Sequence, residues 1–227
     1  MSIAPYLNLT RLHTANWEVL SFLAGPLMVH VDVVSWRGAH IALLAVLVNS
    51  FIFVLNDLAD VDRDRLNPAR QSSPLVSGAI KTELALFLSC VIPVALWIAV
   101  VVADWTTSAE ASFAALMALG CYLDVYQKTS QRLHPVLLDS LFAVCMAGPI
   151  VVMVATTREQ PDEAVWLTGV GFGLLCLALN SVAGNLKDLA ADARTGFRTT
   201  ALALGVTPTS DGPNYSSTYR YYVYALA

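Results

Sequence analysis

Asn56-Asp57-Leu58-Ala59-Asp60-Val61-Asp62-Arg63-Asp64-Arg65-Leu66-Asn67-Pro68 follows directly on an apolar run at 39–55. A helix advances about 100° per residue, so if the apolar run continues as helix, Asp57, Asp60 and Asp64 share one face and Asp62 points away. Three carboxylates converging at the edge of an apolar helix would repel one another unless a cation joined them. Oxygen-only ligands of this kind suit Mg²⁺, which keeps several waters and is commonly shared between carboxylates and substrate phosphates. A calcium-loop reading of Asp60, Asp62 and Asp64 fails, because Arg65 stands where that loop needs glycine and Gln71 where it needs glutamate.

Outward from this stretch the chain is apolar. Hydrophobic residues make up 56% and charged residues 13% of the 227 positions, against about 25% charged in an ordinary soluble domain. Lipid must cover such a surface. Runs at 17–34, 39–55, 84–103, 111–123, 136–156 and 165–182 predict six spans of an all-α transmembrane bundle, since crossing the hydrocarbon takes roughly 20 apolar helical residues. The net charge of -4 provides no basic field for nucleic acid. The four cysteines, Cys90, Cys121, Cys145 and Cys176, lie singly in apolar stretches without metal-ligand spacing.

Basic residues orient the bundle. Arg11, Arg63, Arg65, Arg70, Lys81, Lys128, Arg132, Lys187, Arg194 and Arg198 fall on the side shared by the N-terminus and the loops after spans two, four and six. The opposite side holds Arg37 and Arg158. The positive-inside rule then puts the N-terminus and the aspartate-rich stretch on the cytoplasmic side of an integral membrane protein.

A second acidic stretch follows span six: Asn185-Leu186-Lys187-Asp188-Leu189-Ala190-Ala191-Asp192-Ala193-Arg194-Thr195-Gly196. Asp188 and Asp192 are i and i+4 on one face, with Asn185 a turn earlier. Each stretch continues an apolar span into carboxylates on the same side of the membrane, so two metal clusters are expected to face each other across one cavity. Four spans separate equivalent points, which suggests a duplicated four-helix unit. Asn49, His134, Asp139 and Asn180 are further polar residues at depth; Asp139 could orient an acceptor or a cationic partner, or make a structural helix–helix hydrogen bond.

At these residues the chain resembles the UbiA superfamily of intramembrane prenyltransferases. Asn56, Asp57, Asp60 and Asp64 match its first signature, NDxxDxxxD, and Asp188, Asp192, Gly196 and Thr199 or Thr200 resemble its second. The resemblance implies Mg²⁺-assisted ionisation of an allylic prenyl diphosphate and transfer of the prenyl group to an aromatic or lipid-like acceptor within the membrane. It implies metal ligation by Asp57, Asp60, Asp64, Asp188 and Asp192, with Asp60, Asp64, Asp188, Asp192 and Lys128 catalytic. Substrate binding is expected at Asn56, Asn185, Lys187, Arg70, Arg198, Tyr122 and Tyr126. The family often places a tyrosine and a lysine in the loop holding Tyr122, Tyr126 and Lys128, though here the spacing is not its usual YxxxK. Ser73 stands where relatives often carry arginine, and Arg70 lies three residues earlier.

Family members usually have eight or nine spans. The expectation is therefore a shortened UbiA-like domain over 1–205, followed at 206–227 by a polar, tyrosine-rich tail or the start of a seventh helix. Two other functions use the same motifs: a membrane terpene cyclase, and a non-catalytic member that binds diphosphates or serves as a partner subunit. The aromatics Trp17, Phe22, Phe51, Phe53, Phe142 and Phe172 do not separate them.

Overall fold

The computed structural model describes residues 3–103, 105–127, 130–157 and 159–226. Helices dominate: α1 (Ala4–Leu9), α2 (Asn16–Met28), α3 (Trp36–Asp64), α4 (Thr82–Val102), α5 (Thr107–Cys121), α6 (Pro135–Ala155), α7 (Glu163–Ala178), α8 (Asn185–Thr195), α9 (Thr200–Ala203) and α10 (Ser217–Leu226). A small hairpin pairs β1 (Thr207–Thr209) with β2 (Gly212–Asn214). Several starts are capped as the sequence dictates: Ser35 Oγ accepts from Gly38 N–H, Thr106 Oγ1 from Ala109 N–H and Asp162 Oδ1 from Val165 N–H.

Among the described residues four helices are long and apolar enough to cross a membrane: α3, α4, α6 and the continuous rod Glu163–Thr195, in which a π-type turn at Leu179–Gly184 joins α7 to α8. They correspond to the second, third, fifth and sixth expected spans. The first expected span corresponds to α2, of 13 residues, short of the roughly 20 that a full crossing takes, and the fourth to α5, of 15 residues, which runs on without a break into a π turn ending at Gln127. α2 stops because His30 turns into the left-handed region at φ 60°. α5 instead changes pitch, continuing as a wider π turn over Tyr122–Gln127.

α6 packs against α2, α5 and α7, and α3 packs against α2 and α4. The α2–α6 crossing is tight. A Cβ added at Gly25 would lie 1.9 Å from the Ile150 carbonyl oxygen, so only glycine allows the backbones this approach. The core runs through Phe22, Leu44, Val48, Val54 and Met153, with Phe113 edge-on to Phe22 and Trp105. Outward faces are equally apolar: Phe87, Val94, Trp97 and Ile98 on α4, and Trp166, Val170 and Leu174 on α7, stand exposed. Patches of this kind face lipid or another protein surface.

Candidate active site

The polar residues gather at one end of the bundle. α3 carries the first motif past the apolar core, and Asp57, Asp60 and Asp64 are each less than a tenth exposed. Asp62 points to solvent and pairs with Arg65 at 2.8 Å. The helical-face reading of this stretch thus describes the structure. The rod carries the second motif to the same end. Its α8 stops at Gly196, whose left-handed φ of 70° turns the chain back, so that Phe197, Arg198, Thr199 and Thr200 also reach the site.

One cavity of about 360 Å³ receives both motifs. Asn56 and Asp60 line it from α3, and Asn185, Asp188 and Asp192 from α8, with Arg70 and Arg198 contributed by the following loops. Asp57 and Asp64 are buried beside it without lining it, and Lys187 is exposed on the outer side of α8. Tyr122 is likewise off the cavity, its hydroxyl accepting from Gln127 Nε2 at 2.5 Å. Lys128 and the Tyr126 side chain lie outside the described residues.

Several lining residues carry no motif signal. Arg11 Nη2 donates to Asp57 Oδ1 at 2.9 Å, and its guanidinium lies 4.3 Å from the centre of the Phe53 ring. Arg11 is itself positioned by Asn49, whose Nδ2 donates to the Thr10 carbonyl at 2.9 Å. Arg63 reaches Asp60 Oδ2 at 2.9 Å and stacks 4.1 Å over Phe197, tying α3 to the loop after α8. The Arg63 pair is an i,i+3 contact that a helical reading could have found; Arg11 and Asp57 are 46 residues apart, and nothing local announces them. Gln131 also enters, its Oε1 accepting from the Arg198 N–H at 3.0 Å.

Deeper in the same cavity Asp139 is held by two donors, Asn180 Nδ2 at 2.7 Å and Thr200 Oγ1 at 2.5 Å. It joins α6, the π turn and α9. Asn185 clamps the same region: its Nδ2 donates to the Asn180 carbonyl and its Oδ1 accepts from Ala201 N–H. The Thr199 hydroxyl is buried with no hydrogen-bond partner among the described residues. An orphan polar group in a polar cavity marks a place where a ligand atom fits.

The donor set suits a hard cation. Asp192 lies within electrostatic reach of Asp188, Asp60 and Arg63, so carboxylates from the two helices face one another and need positive charge between them. Among the described residues no three acidic or imidazole groups converge on one metal position. Mg²⁺ does not require that: one or two carboxylates with water and substrate phosphates suffice.

Fold and site together define a class: an integral membrane helical bundle whose two aspartate motifs line one cavity. The chain belongs to the UbiA prenyltransferase family, which it matches over residues 19–226. Digeranylgeranylglyceryl phosphate synthase of Sulfolobus acidocaldarius is 31% identical over 96 residues, a stretch covering 40% of this chain and 33% of that protein. Two solved structures share the fold. A UbiA homologue from Aeropyrum pernix K1, solved in apo form, superposes with a TM-score of 0.70 at 20% identity, covering 86% of this chain and 70% of that one. A UbiA homologue from Archaeoglobus fulgidus, bound to DMAPP and Mg²⁺, superposes with a TM-score of 0.71 at 17% identity, covering 97% of this chain and 73% of that one.

Proposed function

We propose that this protein transfers the prenyl group of an allylic diphosphate to a hydrophobic, aromatic or lipid-like acceptor within the membrane, in a reaction that requires Mg²⁺. The observation that carries the reading is the junction of two cavities. The polar one shares Phe53, Phe142 and Asn180 with an apolar one of about 310 Å³, otherwise lined mainly by α2, α6 and α7. A diphosphate head and hydrophobic substrate groups therefore have adjoining room.

Four carboxylates (Asp60, Asp139, Asp188, Asp192) and four guanidinium groups (Arg11, Arg63, Arg70, Arg198) line the polar cavity. Their formal charges cancel, so an entering diphosphate needs cations to accompany it. Bound Mg²⁺ supplies that charge and stabilises the departing diphosphate. Arg70 and Arg198 offer forked donors to phosphate oxygens, and Asn56, Asn185 and the orphan Thr199 hydroxyl offer neutral hydrogen bonds. The allylic C–O bond breaks with its electron pair leaving on diphosphate. Phe53 and Phe142, at the junction, present aromatic faces to the allylic cation and help exclude water from it. The acceptor's nucleophilic carbon or oxygen then forms the new bond, and the proton it carried is given up to water or to the released diphosphate. The Asp57, Asp60, Asp64, Asp188 and Asp192 assignments as metal ligands belong to this reading, as does Lys128 as a further cation.

Purified protein in nanodiscs, given labelled dimethylallyl to geranylgeranyl diphosphates with hydrophobic acceptors, tests it. Consumption should need Mg²⁺, stop with EDTA and yield a prenylated acceptor. A cyclic hydrocarbon formed without acceptor would favour cyclisation instead. Binding of diphosphate with no turnover across the panel would overturn the enzymatic reading.

A further inference from the structure

Glu18 is a charged residue that the proposed chemistry leaves unused. It sits in the first turn of α2, only 8% exposed, and lines the apolar cavity beside Thr14, Trp17, Phe53 and Cys176. Among the described residues no lysine or arginine lines that cavity and no ion pair reaches Glu18. A carboxyl group removed from water with so little compensation is costly, and ionisable groups at such depth mark sites more often than packing. Burial without a cation favours the neutral carboxyl, whereas the helix N-terminus and a donating hydroxyl favour the carboxylate, which only accepts hydrogen bonds. Thr14 Oγ1 and Asn180 Nδ2 also line the cavity but donate elsewhere, to the Arg11 carbonyl and to Asp139 Oδ1.

Resting on the transferase reading above, we propose that Glu18 builds the acceptor subsite: it selects an apolar acceptor that presents a hydroxyl group and rejects one that presents a carboxylate. A saturated or isoprenoid chain beside Glu18 would leave its carboxylate dry and unbonded, so the prenyl tail is the wrong occupant. A hydroxyl donates one hydrogen bond to it while the rest of the molecule lies against Phe142, Phe172 and Leu175. An anionic head would meet a like charge in a low-dielectric cavity, and that repulsion excludes it. Phe53, Phe142 and Asn180 border both cavities, which keeps the acceptor in one continuous space with the allylic carbon.

The test uses three probes that differ only in the head group: 4-hexylphenol, 4-hexylanisole and 4-hexylbenzoate. Binding to the full chain in nanodiscs is followed by equilibrium dialysis against empty nanodiscs. A hydrogen bond to a charged group predicts that wild type holds the phenol at least about tenfold tighter than the anisole, and the benzoate most weakly. Glu18→Ala should erase the phenol preference. Glu18→Gln, which is nearly isosteric and keeps an acceptor, should retain part of it and admit the benzoate. Equal binding of phenol and anisole in wild type, or an unchanged preference in either variant, would overturn the subsite. Should Glu18→Ala fail to fold, the benzoate-to-phenol ratio of Glu18→Gln decides. Mg²⁺-dependent consumption of prenyl diphosphate by wild type is read in parallel. If it is absent while the phenol preference follows Glu18, the transferase reading fails and the hydroxyl-selective site stands.

Discussion

Asp60 and Asp62 are two residues apart on α3 and meet opposite surroundings. The Asp60 side chain is 9% exposed, faces the cavity and bonds Arg63, whereas that of Asp62 is 88% exposed and pairs with Arg65 in solvent. Asparagine keeps the shape of either side chain and removes its charge. Asp60→Asn should therefore lower turnover by about 100-fold or more, the scale of losing one preorganised electrostatic contact to a transition state. Asp62→Asn should leave turnover nearly unchanged and cost less than about 1 kcal/mol of stability, as surface pairs do. The check is steady-state rates on membranes with matched protein content; equal losses in the two variants would overturn the helical-face assignment. That distinction was legible in the sequence, because a helical period alone separates positions 57, 60 and 64 from 62. The partners of those aspartates were not. Arg11 was readable as a topology charge, and only the packing of the N-terminal segment on α3, fixed by Asn49, brings it to Asp57.

At the scale of elements, composition announces which runs avoid water but not how many residues each helix keeps. Long β-branched and leucine-rich runs became α3, α4, α6 and the rod as expected. Hydropathy does not register the left-handed turn at His30 that follows the end of α2, nor the change of pitch at Tyr122 through which α5 runs on. Two π turns widen helices next to the cavity, at Tyr122–Gln127 and Leu179–Gly184, and such turns recur at functional sites because they re-aim side chains. The second one delivers Asn180 to Asp139. Close packing then fixes the cavities: α2 carries Glu18, α6 carries Asp139 and Phe142, and the two helices touch at Gly25. Gly25→Ala forces a methyl group into the Ile150 carbonyl, so α2 must move outward. Overpacking of this kind costs about 1–3 kcal/mol. The variant should melt at lower temperature in detergent and lose hydrophobic-substrate binding more than diphosphate binding, since α2 lines the apolar cavity and contributes no residue to the lining of the polar one. Unchanged melting would show that the crossing is looser than the backbone distance states.

Over the whole molecule the charges are divided between two ends while lipid-facing residues fill the middle. α3 makes the separation visible: its 29 residues run from Trp36 to Asp64, about 43 Å at 1.5 Å per residue, enough to pass from one interface to the other. Arg11 and Arg63 pair with aspartates at the motif end, and Arg70 and Arg198 line the same cavity; Arg37 stands at the start of α3, at the opposite end. On the proposed transferase reading, soluble prenyl diphosphate and Mg²⁺ reach the aspartates from water, so orientation decides which compartment supplies them. The excess of arginine predicts the cytoplasm. Ser72, exposed in the loop after α3, and Gln160, exposed before α7, report the two ends. A cysteine at Gln160 should react with a membrane-impermeant maleimide on intact cells, and one at Ser72 only after permeabilisation. The native cysteines lie within apolar helices, so the parent chain gives the background. Reversed labelling would turn the site to the outer face and require an external source of diphosphate; labelling of both positions on intact cells would mean that α3 does not cross the bilayer.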